Sequence, residues 1–123
     1  MKKKNHFIAY MIAIMIMLFS VPVKAQTKTG YAQWDSTNKI LTFYGGESVP
    51  EGAYSLGDGE WGAPGWVSSE NVYNYCTTVK FDKSFKAVRP TSCNAWFSSF
   101  KKLQEIEGIE NLNTEEVTNM NYM

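Results

Sequence analysis

The chain has 123 residues, with twelve Lys and Arg balanced by twelve Asp and Glu, one His and two Cys. This length suits a single small domain once a leader is set aside, and not two. Beyond the leader there is no basic run, so nothing in the charge pattern offers an electrostatic footprint for nucleic acid or a polybasic segment for an anionic membrane.

Residues 1–25 read as a cleaved signal peptide. Lys2, Lys3 and Lys4 precede an apolar run from Phe7 to Val21, and Val23-Lys24-Ala25 supplies a small-residue cleavage pattern with the cut expected before Gln26. The run falls short of the roughly 20 residues that span a bilayer, so the expectation is export with no transmembrane span after cleavage. Gln26 stands where a bacterial lipoprotein would carry its lipidated cysteine. Cleavage removes four lysines and no acid, leaving eight basic residues against twelve acidic, a formal charge of −4. It also removes His6, the only histidine and so the commonest kind of general base and metal ligand. The mature chain is expected to be non-enzymatic, with no catalytic residues, no bound metal and no cofactor.

Residues 26–82 read as a β-rich N-terminal cap region. Tyr31 to Trp34 and Ile40 to Tyr44 are rich in β-formers and flank the polar Asp35-Ser36-Thr37-Asn38-Lys39, which predicts a hairpin. From Gly45 to Gly65 seven glycines and two prolines predict turns with at most a brief strand. Val72 to Phe81 is β-branched and aromatic, and the alternation in its later half predicts a strand with Val79 and Phe81 facing inward.

Residues 83–123 carry the strongest periodicity. Pro90-Thr91-Ser92 is a helix-start signal, predicting a short helix with Trp96, Phe97 and Phe100 on it. Phe97, Phe100, Leu103, Ile106, Ile109 and Leu112 recur at every third position. A step of three falls about 60° short of a helical turn, so one straight helix would spread these side chains around most of its circumference. With breaks at Gly108 and Asn111-Leu112-Asn113, the pattern reads as helical turn, a short strand at Glu105-Ile106-Glu107, a bend and a new helical turn from Asn113 that buries Val117, Met120 and Met123. This is the outline of one solenoid rung, with Trp96, Phe97, Phe100, Leu103, Ile106, Ile109, Leu112, Val117 and Met120 as its core. The expected fold class is therefore α+β, a β-rich cap leading into the first, incomplete rung of a leucine-rich-repeat-like solenoid.

The wording is more specific than the periodicity. The stretch VKFDKSFKAVRPTSCNAWFSSFKKLQEIEGIENLNTEEVTNMNYM, from Val79 onward, closely resembles the BspA-type leucine-rich-repeat surface proteins of anaerobic oral and gut bacteria. In that family a strand precedes an RPTS and WF turn and a repeat of the form L..I.GI.NLNT..VTNM..M. The likeness is dense from Lys80 to Met123 and weaker at Tyr31 to Tyr44. It implies a cell-surface or extracellular protein used in adhesion, binding a host or bacterial surface protein, or a glycan, through repeats beyond Met123, the chain being a fragment of a longer product. The oligomeric state is left open.

Other sites are few. Cys76 and Cys93 are separated by sixteen intervening residues in a chain expected to be exported, which permits a disulfide worth roughly 3 kcal/mol in the loop-entropy model, or two separate buried thiols. Trp61 and Trp66 flank Gly62-Ala63-Pro64-Gly65 and give the alternative reading of a small secreted glycan-binding module, with both indoles as stacking platforms; folding back over a small core is the competing fate of such tryptophans. Gly57-Asp58-Gly59-Glu60 is too poor in oxygen ligands for calcium and reads as a surface turn. Glu105, Glu107 and Glu110 read as a solvated face.

Overall fold

The computed structural model describes residues 27–57 and 63–123; the expected signal peptide and Trp61 lie outside the described residues. Strands β1 (Thr29–Asp35) and β2 (Ile40–Gly46) form the expected antiparallel hairpin, in register from Thr29 opposite Gly46 to Asp35 opposite Ile40. The turn holds because the Asp35 carboxylate accepts the backbone N–H groups of Thr37 and Asn38, both at 3.0 Å, and the Asn38 side-chain amide at 2.8 Å, while Lys39 takes a left-handed φ of 61°. A two-residue strand β3 (Tyr54–Ser55) pairs antiparallel with β1. A 3-10 turn (Gly65–Ser68) and a short helix α1 (Glu70–Tyr75) lead into β4 (Thr78–Phe81), and a second 3-10 turn (Lys83–Ala87) follows. Strand β5 (Glu105–Glu107) and a last 3-10 turn (Ile109–Asn111) complete the elements. The five strands make one mixed sheet in the order β3-β1-β2-β4-β5, with β2, β4 and β5 mutually parallel.

Alternation decides which face of the sheet is buried. Ala32, Leu41, Phe43, Val79 and Phe81 point inward, and the layer that covers them is built from Trp66, Val72, Cys76, Phe85, Val88, Cys93 and Trp96. Phe43 is the hub. Its ring centroid lies 4.7 Å from Phe81, 5.1 Å from Trp96, 5.2 Å from Trp66 and 5.5 Å from Phe85. Rings at these separations add specific quadrupole contacts to their large buried area, so a short chain obtains a core from few positions.

Polar links tie the outlying turns to this sheet. The Asp82 carboxylate caps the Lys83–Ala87 turn by accepting from the Ser84 amide at 3.0 Å and hydroxyl at 2.7 Å, and the Ser84 oxygen in turn accepts from the Gly45 amide at 3.0 Å. Asn111 is the buried polar side chain of the core region; its amide donates to the Phe81 carbonyl at 2.8 Å. Gly108, at φ 73°, lets the chain pass so close to that same carbonyl that a Cβ would lie 2.4 Å from its oxygen.

The solenoid expectation is overturned. The described residues form a small mixed sheet with one short helix and isolated 3-10 turns, and the strand at 105–107 is the fifth strand of the sheet begun by the N-terminal hairpin. The physical reason is that the apolar residues of the last third have one place to be buried, the core centred on Phe43. Trp96 is wholly buried there, and Phe97, Phe100, Leu103, Leu112 and Val117 pack partly against it, whereas Ile106, Ile109 and Met120 remain 41%, 49% and 48% exposed. Nor does the helix expected after Pro90 form. Residues 94–99 are successive tight turns, because Ala95 and Ser99 adopt left-handed φ values of 60° and 65°, which an α-helix excludes. The helical turn expected from Asn113 is an Asx turn, with the Asn113 side-chain oxygen accepting from the Glu115 amide at 2.9 Å.

Candidate recognition face

The period of two that buries Phe43 and Leu41 sends their neighbours to the opposite side of the sheet. Gln33 on β1, Thr42 on β2, Lys80 on β4 and Glu107 on β5 are mutually in register, so four polar side chains form one row across four strands. Around this row lies an open groove of about 640 Å³, which also takes in Asp35, Ile40, Tyr44, Asp82, Lys83 and Gly108. The Lys80 ammonium stands 3.5 Å from the Glu107 carboxylate, and both side chains are more than two-fifths exposed, so the pair contributes less than about 1 kcal/mol to stability and can exchange for a ligand's charge. Tyr44 stacks on Tyr31, directly opposite it in the hairpin, at 5.6 Å between centroids.

Asp35 is held below its ordinary carboxyl range, chiefly by the Asn38 side-chain amide, and Asp82 likewise, chiefly by the Ser84 hydroxyl. Both therefore stay ionised at neutral pH and serve as acceptors. Lys80 and Lys83 supply donors between them, giving a face of mixed sign with an aromatic end.

The candidate residues from sequence are distributed differently. Trp66 is fully buried, its indole N–H donating to the Trp96 carbonyl at 2.7 Å and its ring set edge-on to Phe43, so it has no open face on which a sugar could stack. Trp61 lies outside the described residues. Cys76 and Cys93 are both buried and both free. No bridge joins them; the Cys76 thiol instead donates to the Thr78 carbonyl at 3.3 Å. Burial raises the Cys76 thiol above its ordinary value and pushes Cys93 up to about 11, which keeps both as inert protonated thiols.

The row itself escapes a linear reading. Each strand's alternation is legible, but Thr42 and Lys80 are brought together by a parallel pairing across a long connection, and the register of such a pairing has no local signature. Comparison with protein-family models, with curated proteins and with solved structures matched none of them to this chain. No helix among the described residues is long and apolar enough to cross a membrane.

Proposed function

We propose that this chain is an exported, non-enzymatic bacterial surface protein of the BspA type, and that it acts in adhesion by recognising a protein on a host or bacterial surface. The observation that carries the reading is the polar row of Gln33, Thr42, Lys80 and Glu107 within its open groove, a rigid, strand-borne array of donors and acceptors. Three features of the sequence support it: the leader in residues 1–25, the absence of histidine after it, and the likeness of residues 80–123 to the BspA-type proteins. A binding face of this kind needs side chains held by regular elements and open to solvent; on these paired strands Gln33 and Glu107 are exposed, Thr42 and Lys80 are half-buried, and the Lys80–Glu107 pair is open enough to give way to a ligand.

The test is adhesion of bacteria displaying the chain to an epithelial monolayer, with wild type compared against Thr42→Arg and Lys80→Glu. Both changes alter the groove while leaving the buried face untouched. The expected result is a loss of adhesion by about tenfold or more in either variant, the equivalent of one good polar contact. Protease treatment of the monolayer should abolish binding and glycosidase treatment should not. Equal adhesion by wild type and both variants sinks the reading, and dependence on glycan alone replaces the protein ligand with a carbohydrate one.

A further inference from the structure

Three separate stretches of chain meet where β2, β4 and β5 begin. The Thr77 amide donates to the Lys39 carbonyl at 3.0 Å, the Gln104 amide to the Thr77 carbonyl at 2.9 Å, and the Lys101 amide to the Tyr73 carbonyl at 3.0 Å. At this junction Tyr75, the last residue of α1, is 47% exposed, and two ammonium groups stand over its ring, Lys39 at 5.5 Å and Lys102 at 5.3 Å from the centroid. Lys39 directly precedes β2 and Lys102 precedes β5, while Tyr75 leads into β4, which lies between those strands in the sheet. The ring therefore has its neighbours on both flanks, and a strand added beyond β5 would lie on the far side of Lys102.

Positive charge is gathered here without the counter-charges that usually accompany it. The chain after cleavage carries a formal charge of −4, yet among the described residues no carboxylate pairs with Lys39, Lys101 or Lys102. Asp35 is taken up by its own turn, and Glu105 stands in register with Thr78 on the outward row of the sheet. What holds Lys39 and Lys102 is the negative face of the Tyr75 ring, a contact weak enough at an exposed site for a carboxylate to join or replace it. The ring keeps two cations close together and neutralises neither.

The side chains narrow the ligand. Lysine is a point charge without the fork of arginine, so the pair reads charge and spacing instead of a planar shape. With two ammonium groups over the ring, no clear face is left on which a sugar could stack, and a sulfated polymer would also be opposed by the net charge of the chain. A short acidic stretch of protein carries carboxylates on flexible stems that can reach either ammonium, and the Tyr75 hydroxyl offers a further donor.

We propose that Lys39, Tyr75 and Lys102 form a clamp for an acidic peptide segment, with one carboxylate on each ammonium. None of the three lines the polar groove, and the clamp does not depend on that groove.

The experiment titrates the chain with a blocked hexaglutamate peptide at low ionic strength, followed by amide NMR, with blocked hexaglutamine as the control and dextran sulfate as the competing class. Binding of the glutamate peptide alone is expected, with shifts at Lys39, Tyr75 and Lys102 that added salt removes. Lys39→Gln and Lys102→Gln should each weaken it by about fivefold or more. Tyr75→Leu keeps every charge but removes the surface that holds the two ammonium groups, and should weaken binding as much. Lys86→Gln, the same change of charge at an exposed position of the Lys83–Ala87 turn, should leave it unaltered. Far-UV circular dichroism establishes that the variants fold, and the lysine variants carry the test if Tyr75→Leu does not. Equal weakening by Lys86→Gln, or unchanged affinity in a folded Tyr75→Leu, overturns the clamp, since either means diffuse attraction. Shifts confined to Thr42 and Lys80 overturn it while leaving the groove as a binding face. Binding of dextran sulfate at these residues without binding of the glutamate peptide overturns the peptide ligand, and so does absence of all binding.

Discussion

Gly108 is the residue on which the C-terminal end of the sheet turns. It follows β5 directly, adopts φ 73°, and brings the backbone against the Phe81 carbonyl, which the buried Asn111 amide then satisfies. A side chain here meets two independent penalties. The left-handed conformation costs an L-residue about 1 to 2 kcal/mol, and a Cβ 2.4 Å from a backbone oxygen must displace either β4 or the turn. Gly108→Ala is therefore expected to lower the free energy of unfolding by at least about 2 kcal/mol, a large share of what a domain of this size commands. Urea denaturation checks it, and a loss below about 0.5 kcal/mol would mean that the turn has room to relax.

Among the elements, those with a local pattern of their own were legible in the sequence, and those selected by tertiary packing were not. The β1-β2 hairpin follows from its two β-rich runs and the Asp35 to Lys39 turn, and β4 from the alternation that buries Val79 and Phe81. The strand at Glu105 to Glu107 also lies where the break pattern puts it. Helix α1 does not announce itself, because Val72, Tyr73 and Tyr75 favour strands and the helix is maintained by burying Val72 against the core. The stretch after Pro90 misleads in the other direction. Its start signal and apolar spacing favour a helix, but tertiary packing of Trp96 and Phe97 around Phe43 selects turns with positive φ at Ala95 and Ser99. Exposed Ser99 separates the two conformations by sign. In a helix, Ser99→Gly would cost about 0.5 to 1 kcal/mol; at φ 65° it removes a left-handed strain and should raise stability by about 0.5 to 1 kcal/mol. A thermal melt with the midpoint moved downward would restore the helix.

At the scale of the whole molecule, the division at residue 82 that the sequence suggests does not divide the core. Phe43 and Phe81 come from one side of it, Phe85 and Trp96 from the other; Phe43 contacts the other three rings, and Phe85 also contacts Phe81 and Trp96. Backbone pairing reinforces the same union: the amides of Cys93 and Ala95 each donate at 2.8 Å, to the carbonyls of Asn119 and Asn121, so the final segment is tied to the turns that carry Trp96, and Trp96 to the hairpin. Such an arrangement has no part that can lose its packing alone. Phe43→Ala leaves a void at the hub ring, which both halves touch, and the expected loss is about 3 to 5 kcal/mol. The decisive reading is the shape of the transition, followed together by far-UV circular dichroism, dominated by the sheet, and by tryptophan emission, to which Trp66 and Trp96 of the covering layer contribute alongside Trp34 and Trp61. For both wild type and variant the two probes should coincide in a single denaturant transition, since the sheet and its cover share the same hub. Two separated transitions, with tryptophan emission changing while the hairpin persists, would show that residues 83–123 fold as a unit of their own.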